Sequence, residues 1–270
     1  MADTVGVVGA GRMGLPIIGH IVRAGFRTLA ADLDPAKRAS VAARGAEWIA
    51  DAAALAGRSD VILVCVGFDR DVRALFASGG PIGYARRGSI VAILSTIHPR
   101  TVQRLADESR AAGVEVIDST VCRGGDAADR GTLLSFVGGA REVVDRVTPV
   151  LRAYSADVVH TGGAGSAQVA KAANNLILWA CLVADHEGLA LARAHGLDVE
   201  TLRRALCISS AANGPLEKWG TQTMAWAEDD LAIVAEMAAD CGLSLPQARV
   251  TGEICRALKP RRYKLDEYGR

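Results

Sequence analysis

A short apolar run, Thr4–Val8, meets Gly9-Ala10-Gly11-Arg12-Met13-Gly14, and a helical pattern, Leu15–Ala24, follows at once. No other stretch of these 270 residues limits the fold as strongly. The three glycines have separate duties in a strand–turn–helix. The first permits the tight turn, the second lets a pyrophosphate approach the backbone, and the third lets helix pack on strand. The helix then turns its N-terminus, with its partial positive charge, toward the phosphates. A second apolar run, Thr28–Ala31, ends in Asp32, 18 residues past Gly14. An acid at about that distance binds the ribose hydroxyls of a dinucleotide. It accepts from both hydroxyls and repels a 2′-phosphate. The pattern therefore predicts NAD ahead of NADP, with NADP left open by Arg27 and Arg38. Asp34 is a rival acid whose place before Pro35 also suits a turn.

Apolar runs recur at Val61–Val66, Ile90–Leu94, Val114–Ile117 and Leu133–Val137. Helical or turn segments, such as Ala36–Arg44 and Arg100–Ala112, separate the earlier ones. This alternation predicts a parallel sheet with helices on both faces. It stops near His160, and Thr161-Gly-Gly-Ala-Gly165 reads as a hinge. Ser166–His195, roughly 45 Å at about 1.5 Å per residue, then reads as one long helix. Leu197–Leu206, Leu231–Cys241 and Pro246–Leu258 read as further helices. The expected fold is an α/β Rossmann-type dinucleotide-binding domain over residues 1–162, followed by an all-α domain over residues 163–270.

Half the residues are apolar, enough for a sizeable core, and the net charge is +1. That balance offers no electrostatic basis for binding nucleic acid or a membrane surface. No apolar run approaches 18 residues and no basic-then-apolar leader opens the chain, so no membrane anchor is expected. Six cysteines show neither C-x-x-C nor zinc spacing, which fits free thiols in a reducing cytoplasm. The five histidines form no ligand cluster, and no metal is expected.

In the long helical stretch, Lys171 precedes Asn175 by four residues, so the two share a helical face with Leu178 and Leu182. Asn174 lies one residue round. An amine held in an apolar wall can give or take a proton near neutral pH. A lysine that snorkels from a helix start fits the same spacing.

Four motifs in this order resemble the β-hydroxyacid dehydrogenases, the family of 3-hydroxyisobutyrate dehydrogenase and tartronate semialdehyde reductase. They are Val8-Gly-Ala-Gly-Arg-Met-Gly14, Leu94-Ser-Thr-Ile-His-Pro99, the stretch from Asp118 to Leu133, and the Lys171–Asn175 helix. The resemblance spans nearly the whole chain. It implies NAD(P)-dependent hydride transfer between a short β-hydroxyacid and its semialdehyde or keto form. Lys171 would donate a proton in reduction and accept it in oxidation, with Asn175 holding the substrate or the lysine in line. Backbone N–H groups of Cys122, Arg123 and Gly124, and the Asn174 side chain, would bind the carboxylate of a small anionic substrate. Val66 and Thr96 would contact the cofactor beside Gly9, Gly11, Arg12, Met13, Gly14 and Asp32. A homodimer or homotetramer packed helix on helix is expected.

The chain departs from the family at two points. Cys122-Arg123-Gly124 stands where the family usually has Ser-Gly-Gly. An inward Arg123 would clamp a second anion, as in the sulfolactaldehyde reductases of this family; an outward one would face solvent or hold Asp126 or Asp129. Asp229 stands where the family usually has a lysine near the substrate or cofactor. Trp219 and Trp226 are expected to pack between helices. An imine reductase shares the glycine motif but usually lacks the lysine. A non-catalytic nucleotide sensor on the same fold would be expected to lose Lys171 or Asn175.

Overall fold

The computed structural model describes residues 4–77 and 80–268. It divides into two compact units that meet in sequence at Lys171 and Ala172. In the first unit, strands and helices alternate: β1 (Thr4–Val8), α1 (Gly14–Arg23), β2 (Arg27–Ala31), α2 (Lys37–Ala43), β3 (Glu47–Trp48), α3 (Ala52–Ala56) and β4 (Val61–Val64). Then come α4 (Asp69–Phe76), α5 (Gly80–Tyr84), β5 (Ile90–Ile93), α6 (Pro99–Ser109) and β6 (Glu115–Cys122). The unit's remaining elements are α7 (Gly124–Arg130), β7 (Leu133–Gly138), α8 (Arg141–Leu151), β8 (Ser155–Gly162) and the start of α9 (Ser166–Ala194).

One eight-stranded sheet runs in the order β3-β2-β1-β4-β5-β6-β7-β8. Its first six strands are parallel, in the 3-2-1-4-5-6 order of dinucleotide-binding sheets. The order reverses between β1 and β4, so the crevice for a ligand opens at the carboxyl ends of these strands. The central strands are apolar throughout because both faces are covered. Ile17, Ile21, Val144 and Val147 pack over one face with Val7 and Leu63. Leu55, Val72, Val102 and Leu105 pack over the other with Ile62 and Ile93.

The sheet is not wholly parallel, as the alternation had suggested: β7 pairs antiparallel with β6, and β8 then runs parallel to β7. Only residues 123–132 join β6 to β7, too few for a parallel crossover, which takes about a dozen residues or more. Two strands had no apolar run to announce them. β3 has two residues, and β8 (Ser-Ala-Asp-Val-Val-His-Thr-Gly) is an edge strand with several exposed positions.

The second unit holds the rest of α9 with α10 (Val199–Leu206), α11 (Gly214–Glu217), α12 (Ala227–Asp240) and α13 (Pro246–Leu258). Trp179, Leu182, Leu231, Cys255 and Leu258 form its core, with Trp219 packed against it. The Trp179 indole N–H donates to Asp230 at 2.9 Å. Trp226 does not pack between helices as expected; it stands half-exposed at the N-cap of α12. Among the described residues α9 alone is long and apolar enough to cross a membrane. Polar residues interrupt it, so no continuous apolar run marks it in the sequence, and the core helix of a folded domain meets the same condition.

Candidate active site

The carboxyl edge of the sheet collects every candidate residue except Asn174 and Asn175, which lie in the second unit. The glycine turn explains itself atom by atom. A Cβ on Gly9, which sits at φ +102°, would come within 2.2 Å of the Cys65 carbonyl oxygen. One on Gly14 would fall 2.0 Å from the Gly9 carbonyl oxygen. One on Gly11 would meet nothing within 4 Å. Two of the glycines thus serve the protein's own packing, while the third keeps open the approach to the backbone that a pyrophosphate needs. The N–H groups of Gly11, Arg12 and Met13 make no hydrogen bond to the protein among the described residues. They stand at the start of α1, where anions are favoured. These features fit a dinucleotide.

Asp32, at the end of β2, accepts from Ala10 N–H at 2.7 Å through one oxygen and from Asp34 N–H at 2.9 Å through the other. The carboxylate is thereby fixed beside the glycine turn. Asp34 caps its own turn, accepting from Ala36 N–H at 3.0 Å. Arg27 pairs with Glu47 at 3.3 Å. The Arg12 side chain bonds Asp129 with two nitrogens, at 2.9 and 2.8 Å, and holds that carboxyl below its usual range. What Arg12 offers at the turn is its backbone. Val66 and Thr96 follow the ends of β4 and β5. The Ser95 hydroxyl accepts from Val66 N–H at 3.0 Å and lies 2.9 Å from its carbonyl oxygen.

Lys171 donates to the Val121 carbonyl at 2.8 Å, and its Nζ lies 3.9 Å from Cys122 Sγ. The turn that follows carries Arg123 at φ 85°, ψ 0°, a left-handed conformation that glycine adopts more readily than arginine. The Arg123 side chain donates to Asp157 at 2.6 Å and to the Thr132 carbonyl at 3.2 Å. Asp157, which the sequence did not suggest as a partner, thus engages the guanidinium. Gly124, at φ +77°, opens α7.

Asn175 is buried, and it accepts from the Asn174 amide at 3.0 Å. Asp229 lies exposed in the first turn of α12 beside Glu228 and Asp230. Acids are favoured at that end of a helix. Glu228 is held below its usual range by Arg256 and Lys259. Among the described residues, no group of three or more His, Cys, Asp or Glu could hold a metal ion.

Two residues that sequence reasoning did not single out are fully enclosed here. Asp118 accepts from Gly165 N–H at 2.8 Å and Gln168 N–H at 2.9 Å. The Gln168 side chain accepts from Ile97 N–H at 2.9 Å and donates to the Ser95 carbonyl at 2.9 Å. The sequence carried only a weak signal for Gln168, an amide three residues before Lys171 on the same helix face.

Residues 4–162 match the family model described as the NAD binding domain of 6-phosphogluconate dehydrogenase. Residues 165–267 match the one described as NAD-binding of NADP-dependent 3-hydroxyisobutyrate dehydrogenase. The chain is 29% identical to 3-hydroxyisobutyrate dehydrogenase of Pseudomonas aeruginosa, over 91% of this chain and 85% of that one. It is 28% identical to the NAD-dependent L-serine dehydrogenase of the same organism, over 92% and 86%. In fold it is similar to Mycobacterium tuberculosis 3-hydroxyisobutyrate dehydrogenase solved with L-serine: TM-score 0.87 at 23% identity, covering 96% of this chain and 94% of that one.

Proposed function

Since the chain belongs to the β-hydroxyacid dehydrogenase family of NAD(P)-dependent oxidoreductases, we propose that it interconverts a short β-hydroxyacid and its semialdehyde or keto form, with Lys171 as general acid and base. The observation that carries this reading is the Lys171 ammonium, 2.8 Å from the Val121 carbonyl and one residue from the Cys122–Gly124 turn. That bond and the longer one to Cys122 Sγ orient the ammonium and leave its third proton for a substrate oxygen.

The backbone of Gly9, Gly11, Arg12, Met13 and Gly14 would hold the pyrophosphate and Asp32 the ribose, with Val66 and Thr96 on the nicotinamide side. The nicotinamide, when bound, supplies or accepts the hydride. This chain's own residues supply position and a proton. Backbone N–H groups at Cys122, Arg123 and Gly124 bind the carboxylate, Asn174 adds a side-chain donor, and Asn175 keeps the reacting group in line. Lys171 gives its proton to the carbonyl oxygen in reduction and takes it from the hydroxyl in oxidation. Arg123 contributes through its N–H while Asp157 keeps its guanidinium. The fixed Asp32 carboxylate supports NAD over NADP, because a 2′-phosphate would bring a second negative charge against it. The relatives' names include 3-hydroxyisobutyrate and L-serine. Both carry a primary alcohol β to a carboxylate, which supports that substrate class. A homodimer or homotetramer belongs to the same proposal, supported by apolar residues left exposed along α9, among them Ile177 and Leu191.

The test is the initial rate of NADH formation with NAD, and of NADPH formation with NADP, from 3-hydroxyisobutyrate, L-serine, glycerate and a sulfonated 3-hydroxy acid. Lys171→Ala is run alongside. The expected result is turnover of at least one acid, lowered about 10²–10⁴-fold in the variant. Silence on every acid by an enzyme that binds NADH, or full activity in Lys171→Ala, overturns the reading.

A further inference from the structure

The Gln168 side chain makes two hydrogen bonds whose pattern is that of a strand, not of a helix residue. It donates to the carbonyl of Ser95 and accepts from the N–H of Ile97, both at 2.9 Å. These are the backbone groups on either side of Thr96. A residue on a neighbouring parallel strand bonds its partner strand in just this way, one bond to each side of the residue opposite. The amide of Gln168 therefore stands in for a strand residue opposite Thr96, just past the end of β5, and is itself 1% exposed.

The same residue is tied to β6. Its backbone N–H donates to Asp118, which also accepts from Gly165 N–H. The Thr120 hydroxyl donates to the Ala167 carbonyl at 3.0 Å, and Lys171 reaches the Val121 carbonyl one residue further along the strand. Ser95 in turn bonds Val66 at the end of β4. The ends of three strands are thus fastened to the first turns of α9. Lys171 follows Gln168 by three residues on that helix, so the two side chains share a face. Buried polar groups joined in this way leave little freedom, because each bond lost strands a partner without water.

We propose that Gln168 is a positioning residue for proton transfer: its amide locks the Ser95–Ile97 loop to the helix turn that presents Lys171. Asp118 supports it by capping that turn. One side chain then sets both the loop that carries Thr96 and the placement of the lysine. The inference rests on the proposed role of Lys171 as proton donor and acceptor.

The experiment compares the wild type, Gln168→Met, Gln168→Glu and Lys171→Ala with NAD and either 3-hydroxyisobutyrate or L-serine. Methionine keeps the length and loses both bonds. Glutamate keeps the shape and accepts from Ile97, but turns an acceptor toward the Ser95 carbonyl. Both Gln168 variants are expected to lower kcat about tenfold or more, with KM for the acid changed less than about threefold. The solvent deuterium isotope effect on kcat should rise, because proton transfer becomes slower relative to the other steps. Hydrogen exchange at the Ile97 amide should speed up in Gln168→Met while core strand amides keep their protection, a readout that does not need activity. A lower yield of folded enzyme would not change an isotope effect, so a merely structural role is separable. A wild-type kcat and isotope effect in both Gln168 variants, with Lys171→Ala inactive, overturns this proposal alone. Full activity in Lys171→Ala removes the role of the lysine and this inference with it.

Discussion

Arg123 Nη2 donates to Asp157 Oδ2 at 2.6 Å from a backbone held at φ 85°. A side chain in that conformation costs roughly 1–2 kcal/mol. The ion pair is about half exposed on both sides, and such pairs return about 0–1 kcal/mol. The pair therefore returns only part of the cost of the conformation. Arg123→Gly is therefore expected to be as stable as the wild type, or more stable by up to about 1 kcal/mol. Arg123→Ala keeps the strain, loses the pair, and should be the less stable variant. Urea unfolding midpoints decide between them; a clear loss in Arg123→Gly would mean that the contacts with Asp157 and Thr132 outweigh the strain.

The glycine turn predicts two different failures from one kind of substitution. In Gly14→Ala the new methyl would collide with the Gly9 carbonyl 2.0 Å away, so the variant should melt well below the wild type even without cofactor. In Gly11→Ala the methyl enters open space. That variant should melt with the wild type when alone and bind NADH about tenfold or more weakly, since the methyl stands where the pyrophosphate must approach. Thermal melts with and without NADH separate the two. Equal NADH stabilisation of Gly11→Ala and the wild type would place the pyrophosphate elsewhere.

Asp32 serves the turn and, on the proposed reading, the ribose. In Asp32→Asn one bond to Ala10 or Asp34 can survive, but the charge is gone. A hydrogen bond to a charged group contributes about 1.5–3 kcal/mol. The variant should lose about tenfold or more in kcat/KM with NAD, and the ratio of NAD to NADP activity should fall because the repulsion of a 2′-phosphate is removed. An unchanged ratio would leave Asp32 with a structural role and move cofactor choice to other residues, such as Arg38.

The parts of this chain that could be read from sequence are those whose cause is local. Thr4–Val8 is one apolar run with glycines behind it, and both the strand and the turn follow from neighbours in the chain. β6 shows the opposite. Its apolar signal ends at Ile117, yet the strand continues through Asp118, Ser119 and Thr120, none of them exposed. What lets Asp118 and Thr120 be buried is the start of α9, 47 to 50 residues away, whose N–H and C=O groups they bond. Gln168 escaped notice for the same reason: its partners lie 71 and 73 residues back. Lys171 and Asn175 stood out because their spacing on one helix is visible without any partner.

His186 gives the second unit a pH dependence of definite sign. Its Nε2 accepts from Tyr263 N–H at 3.0 Å, so Nδ1 carries the proton and donates to the Leu182 carbonyl at 2.7 Å. The ring packs in a cluster with Trp219, Tyr263 and Tyr268. Burial pulls the imidazole below its ordinary value, against the weaker opposing effect of the bond to Leu182. Between that lowered value and about 6.5, the unfolded chain holds a proton that the folded chain does not. The stability due to His186 is therefore complete above about pH 6.5 and is lost as pH falls through the folded value. Asp118 in the first unit acts in the opposite sense, because burial raises its carboxyl from 3.8 to about 6. Its contribution is full below 3.8 and lost as pH rises through about 6, so the two groups oppose each other across mildly acid pH. Of these two groups it is His186 that bonds the C-terminal residues, which Gln222, Glu187 and Arg193 also hold, so the pH dependence of their release reports on His186. Limited proteolysis after Arg261 and Arg262, together with Trp219 fluorescence, should show the tail loosening from pH 7.5 to 5.5 in the wild type. In His186→Gln the tail should be looser at pH 7.5 and change little on acidification. If the two proteins respond to acid alike, protonation of His186 does not control the tail.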